Sequence, residues 1–179
     1  MSRFNTIRFV AALLAALLMS GPAGATTYRE LSLPEMLDSA QIAFFGTVAA
    51  VRIEEREGEP WTVVEFEIER LLAGSADNSP ALELSFLGGD LPGGAGYRIN
   101  LMPGFEVGEQ VLLLAYAENY ISPIVGFNQG LWRQAGEALL DESGRRLSLD
   151  DEGRLVHGGL EGGFDLVLDA VDRELEARQ

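Results

Sequence analysis

IAFFGTVAAVRIEEREGEPWTVVEFEIERLL, residues 42–72, reads as two long strands joined by a turn. Its second half decides the fold class. Across residues 61–72 the apolar Val64, Phe66 and Ile68 alternate with Glu65, Glu67 and Glu69. A period of two puts the first set on a buried face and the glutamates in water, the signature of a half-buried strand. The first half, residues 42–53, is apolar on both faces at its start and alternates only from Val51, where Arg52 and Glu54 face out. Gly46 lies inside that doubly buried part. Glycine in a strand marks a bend or a close backbone approach, so this strand is expected to coil sharply and serve two sides of a core. Residues 57–60 form the turn between the two.

Further strands follow downstream. Leu82, Leu84 and Phe86 alternate with Glu83 and Ser85 to give a third, residues 97–101 a short fourth, and the unbroken apolar run 111–116 a central strand. Residues 124–127 and 131–133 make a final, interrupted one. Ahead of them, Ser32-Leu33-Pro34-Glu35 is a capping box with proline in the first turn, and Leu33, Met36, Leu37 and Ala40 follow at helical spacing, which predicts a helix over 32–40. About six short strands without βαβ alternation argue for a mainly β fold, a small antiparallel β-barrel whose closure hides its edges.

After residue 134 the pattern changes. ALLDESGRRLSLDDEGRLVHGG, residues 138–159, holds short apolar pieces between polar turns and is expected to form a peripheral hairpin. Gly162-Gly163 then releases a helix over 164–178, in which Phe164, Val167, Leu168, Val171 and Leu175 form one apolar stripe. The domain reading is thus 1–25 as a leader, 26–134 as the barrel, and 135–179 as hairpin and helix packed on the same domain.

The leader has the form of a cleaved secretory signal. Arg3 and Arg8 precede the apolar run 9–19, Gly21 and Pro22 break it, and Ala23-Gly24-Ala25 supplies an A-x-A cleavage site. The apolar run is short of the roughly 20 residues a membrane span needs, so the mature chain is expected to be secreted or periplasmic, with no membrane anchor. The chain has no cysteine, which removes disulfides, thiolate metal sites and thiol nucleophiles. Its 13 basic residues are all arginine and stand against 28 acids, for a net charge of −15. Such a surface repels phosphate backbones and anionic lipid, so nucleic acid is not an expected partner.

FLGGDLPGGAGYRINLMPGFEVGEQVLLL, residues 86–114, holds seven of the 21 glycines between Gly88 and Gly108. A P-loop needs a lysine for the phosphates and this chain has none, while the dinucleotide fingerprint needs a helix after its glycines and here an alternating segment follows. These glycines are read as strand corners. The single histidine, His157, lies in the tail without a G-x-S-x-G elbow and is read as a surface or turn residue. Glu65, Glu67 and Glu69 line an outer strand face, where water keeps them ionised. Asp141-Glu142 and Asp150-Asp151-Glu152 each precede a glycine, as turns do, and match no helix–loop–helix calcium spacing. No cofactor is expected.

Two resemblances add to this reading. The helix at 33–40, Gly46-Thr47-Val48, the segment 70–74, Gly88-Gly89 with Gly94, residues 103–113 and residues 125–130 follow the order L-x-E-M, G-x-V, R-L-L-x-G, GG, P-x-F-x-x-G-E-x-V-L-L, V-x-G-x-x-Q-G, the last carried here one residue shorter, as V-G-x-x-Q-G. In this the chain resembles a set of secreted bacterial proteins of unknown function, over roughly residues 31–134. More faintly, it is similar to the OB-like barrel of tissue inhibitors of metalloproteinases and netrin-like domains. That similarity implies an OB-like barrel; a secreted partner such as a protease is a separate expectation of the overall reading. Those inhibitors grip the protease zinc through an N-terminal cysteine that this chain lacks, so zinc-chelating inhibition does not carry over. The expected function is an exported, non-catalytic, protein-binding module, with Pro103, Phe105 and Glu109 as its candidate surface. The alternative is a secreted carboxylate-dependent hydrolase acting on polysaccharide.

Overall fold

The computed structural model describes residues 29–75, 81–91, 93–94, 96–118, 120–159 and 162–178. The leader read in residues 1–25 lies outside them. Helix α1 (Leu33–Ser39) begins at the expected capping box: the Ser32 Oγ accepts from the Glu35 N–H, and the Glu35 carboxylate accepts from the Ser32 N–H at 2.8 Å. Strands β1 (Ile42–Arg56) and β2 (Glu59–Ala73) form one long antiparallel hairpin. Its loop is tighter than the sequence suggests. Arg56 pairs with Glu59, leaving only Glu57 (φ 55°) and Gly58 (φ 83°), so both loop residues are left-handed, as a twist-matched two-residue hairpin requires.

The ladder of this hairpin is irregular around Gly46. Three register shifts interrupt the β1–β2 ladder between Ala43 and Ala50. A Cβ on Gly46 would collide with the Glu67 carbonyl of β2, so only glycine lets the two backbones approach this closely.

Strand β3 (Ala81–Leu87) pairs with β2. The expected fourth strand shrinks to β5 (Gly96–Tyr97), which pairs with β4 (Gly89–Asp90) in a separate two-stranded ribbon. Strand β6 (Gln110–Ala115) pairs with the first half of β1, and β7 (Leu131–Ala135) pairs with β6. Ile124 makes only a single bridge to Ala115.

The region read as a peripheral hairpin is instead three strands that continue the main sheet: β8 (Ala138–Leu140), β9 (Arg146–Leu149) and β10 (Leu155–His157). Each is three or four residues long, too short for a period of two to stand out. Helix α2 (Phe164–Glu176) closes the described chain and buries Val167, Leu168, Val171 and Leu175 as its stripe implies.

The sheet is mainly antiparallel and runs β10-β9-β8-β7-β6-β1-β2-β3. The closed barrel expected from the sequence is not found: the order has two ends, and no pairing among the described residues joins β3 to β10. Both faces are covered by other means. On one, α1 and α2 pack over Phe45, Leu112, Leu114, Trp132, Leu139 and Leu147. On the other, Phe44, Phe66, Phe86, Leu113 and Leu131 form a second core, over which Met102 and Phe105 fold from the 99–109 loop. Neighbours Phe44 and Phe45 therefore point to opposite cores. The same holds along β6, which explains why its sequence is continuously apolar rather than alternating.

Candidate functional site

Where the N-terminal segment crosses the β8–β9 turn, the surface opens into a cleft of about 370 Å³. Leu31, Met36 of α1 and Leu101 supply apolar walls, while Glu30, Gln129, Asp141, Glu142, Arg145 and His157 supply the polar ones.

Each wall is held by a specific device. Gln129 pins the N-terminal segment: its Oε1 accepts from the Leu31 N–H at 2.7 Å, and its Nε2 donates to the Arg29 carbonyl at 3.0 Å. Asp141 builds the β8–β9 turn. Its Oδ1 accepts from the N–H groups of Ser143 (2.9 Å) and Arg145 (2.8 Å) and from the Ser143 hydroxyl (2.7 Å), while Oδ2 accepts from the Arg145 Nε (2.8 Å). Gly144 takes the left-handed position, φ 79°. Arg145, thus aimed, also donates to Glu30 at 2.8 Å, closing one side of the cleft with an ion pair.

His157 ends β10 and packs against Trp132, ring centroids 6.0 Å apart. It is half-buried rather than a free surface residue, and its Nε2 and the Trp132 Nε1 are buried without a hydrogen-bond partner among the described residues. Burial holds the imidazole below its ordinary pKa and the Arg145 charge adds to this, against the opposing pull of Asp141 and Glu30. His157 therefore faces the cleft as a neutral ring. Burial pushes the Asp141 carboxyl up, but the bonds from Ser143 and Arg145 together outweigh it and leave Asp141 below its usual value. The acid in this wall is held ionised, in the opposite sense to a general acid.

Pro103, Phe105 and Glu109 lie on the adjacent 99–109 loop and are all half-buried. The Phe105 ring packs on Phe66 (5.5 Å) and Phe86 (5.1 Å), and Glu109 accepts from Arg133 at 3.3 Å. Arg133 further donates to the Gly104 carbonyl (2.6 Å) and to Glu142 (2.5 Å). This one arginine ties the loop to the cleft wall. The exposed large apolar side chains of the loop are instead Leu101 and Val107, 47% and 68% accessible.

The sequence reading did not bring Glu30, Leu101, Gln129, Asp141 and His157 together. One signal was available. Asp141–Arg145 and Asp150–Arg154 are both D-x-x-G-R, nine residues apart, and Asp150 repeats each backbone bond of its twin. Such a repeat marks consecutive hairpins of one meander. Among the described residues no group of three His, Asp or Glu side chains is placed to hold a metal ion, and no helix is long and apolar enough to cross a membrane. Comparison of the chain with known protein families, curated proteins and solved structures returns no match.

Proposed function

We propose that the chain is an exported, non-catalytic binding module and that a segment of another secreted protein docks in the cleft between α1, the 99–109 loop and the β8–β9 turn. The carrying observation is the cleft's composition: an apolar lining of Leu31, Met36 and Leu101 beside acids already engaged with arginine. Surfaces of this kind, with an apolar centre and a polar rim, suit protein contacts. A carboxylate hydrolase would need one acid held protonated across a cleft from a second. Asp141 is biased the other way, so the enzymatic reading gains no support here.

The barrel reading belongs to the same proposal. In it, the face carrying Phe44, Phe66 and Phe86 is the interior of an OB-like barrel, and the 99–109 loop with Phe105 takes the place of the missing strand pairing. Pro103, Phe105 and Glu109 then act by setting the loop that presents Leu101. Export through residues 1–25 and a secreted partner such as a protease complete the reading, in line with the two resemblances.

The test is affinity capture from culture medium and periplasm with immobilised mature chain, compared with Leu101→Glu and Arg145→Glu chains of unchanged circular dichroism. A protein retained by the first and lost by both variants supports the proposal. Retention of nothing, or retention indifferent to both substitutions, overturns it.

A further inference from the structure

Strand β3 is one end of the sheet, and its backbone can be accounted for residue by residue. Gly88 donates to the Pro60 carbonyl of β2 at 2.7 Å, whereas Leu87 donates away from β2, to the Ile121 carbonyl at 2.8 Å. Successive residues of a strand turn their N–H and C=O groups to opposite sides. The register Thr62↔Phe86, Val64↔Leu84 and Phe66↔Leu82 is continuous with this, so the even residues of β3 bond to β2. Glu83 and Ser85 therefore aim their N–H and C=O groups outward, and among the described residues no backbone group pairs with them.

We propose that this edge pairs with the same edge of a second copy of the chain, antiparallel and two-fold symmetric about Leu84. Each copy's Glu83 then exchanges both backbone bonds with Ser85 of the other. The neighbouring symmetric registers fail for identifiable reasons. Shifting one way sets Glu83 against Glu83, a like-charge pair directly opposite. Shifting the other way sets Glu83 against Leu87 and takes it off Ser85, where the Arg56 guanidinium sits. In the register kept here the ladder ends at Leu82 and Phe86, because Leu87 already gives its N–H to Ile121.

In the remaining register the side chains are self-complementary. The Arg56 guanidinium donates to the Ser85 Oγ at 3.0 Å, so it stands where the Glu83 carboxylate of the second copy arrives, and the same contact recurs by symmetry. Glu83 keeps its own Arg52 at 2.9 Å and becomes a carboxylate between two arginines. On the opposite face Leu82 comes against Phe86 of the second copy, extending the apolar row of the inner core. Covering an exposed edge with an identical edge is one way a sheet with two open ends avoids indiscriminate pairing.

Sedimentation across a concentration series extending to the millimolar range tests this directly. The wild-type chain is expected to reach twice the monomer mass. Glu83→Arg, which faces two arginines in the pair, and Ser85→Pro, which deletes an N–H that β2 does not use, are expected to remain monomeric. Should Ser85→Pro fail to fold, a cross-link experiment stands in its place. Because the chain has no cysteine, Glu83→Cys and Ser85→Cys chains can be mixed and oxidised. Disulfides should join unlike chains well above like ones. A monomer at every concentration, a dimer indifferent to Glu83→Arg, or cross-linking without preference for unlike chains overturns the proposal, whatever else binds the edge.

Discussion

Asp141 serves the turn and the cleft with one carboxylate, and the cost of protonating it is therefore structural. Its folded pKa is depressed, so the stability it contributes is complete above the ordinary aspartate value near 3.8 and is lost as pH falls through the folded value. His157 acts at a higher pH and in the same direction. Its folded pKa is also depressed, so the fold is favoured while the ring is neutral, and stability is lost as pH drops below the ordinary value of 6.5 toward the folded one. The urea midpoint of the wild-type chain is expected to decline in two stages on acidification. His157→Phe, which keeps a ring against Trp132, should abolish the first stage. Asp141→Asn should reduce the second, to which Glu35, Glu54 and Asp150, also held below their ordinary values, contribute the rest. An unchanged first stage in His157→Phe would show that the ring titrates as if in water. At neutral pH, Asp141→Ala removes four hydrogen bonds and should destabilise by about 1–3 kcal/mol. Neither role is visible from residue type. A lone histidine in LVHGG reads as a turn residue, and only the β10 ladder brings it under the cleft and onto Trp132.

The elements divide by length in how well they can be read. The β1–β2 hairpin spans enough residues for its period to be unmistakable, and α1 and α2 carry a capping box and an apolar stripe that need no tertiary context. Gly46 shows local reading at its best, since a single glycine in a β-branched, aromatic run announces a close backbone approach, which the Glu67 carbonyl of β2 makes among three register shifts. Gly46→Ala is expected to destabilise by about 2–4 kcal/mol, because the new methyl meets backbone rather than a side chain that can move. Denaturant unfolding measures it; a loss under 1 kcal/mol, about the scale of ordinary surface changes, would mean the hairpin relaxes freely. Strands β8 to β10 could not be read this way. Their identity depends on the D-x-x-G-R turns and on β7, beside which they assemble. The stretch 97–101 erred in the other direction: its alternation is real, but most of it lies in the loop that carries Leu101 and Met102.

For the whole molecule the dominant sequence property is charge. Acids outnumber bases 28 to 13, and the arginines are drawn into exposed pairs such as Arg29–Glu35 and Arg154–Glu152. Exposed pairs contribute little each, so the excess negative charge governs the response to salt. The melting temperature should rise as sodium chloride is added from low ionic strength toward about 0.15 M, where the Debye length is about 8 Å. A fall would mean that the ion pairs outweigh the net repulsion.

The sequence by itself determined a mainly β, antiparallel fold, the two helices, the long hairpin and the excess of acidic charge. These follow from local periodicity, capping and composition, which act within a few residues along the chain. Tertiary structure alone decided that the sheet stays open at both ends, that short strands extend it beyond β7, and that Leu31, Leu101, Asp141 and His157 meet in one cleft. Those outcomes depend on which edges and faces are covered by α1, α2 and the 99–109 loop. Contacts such as Glu30 with Arg145, more than a hundred positions apart, leave no period in the sequence.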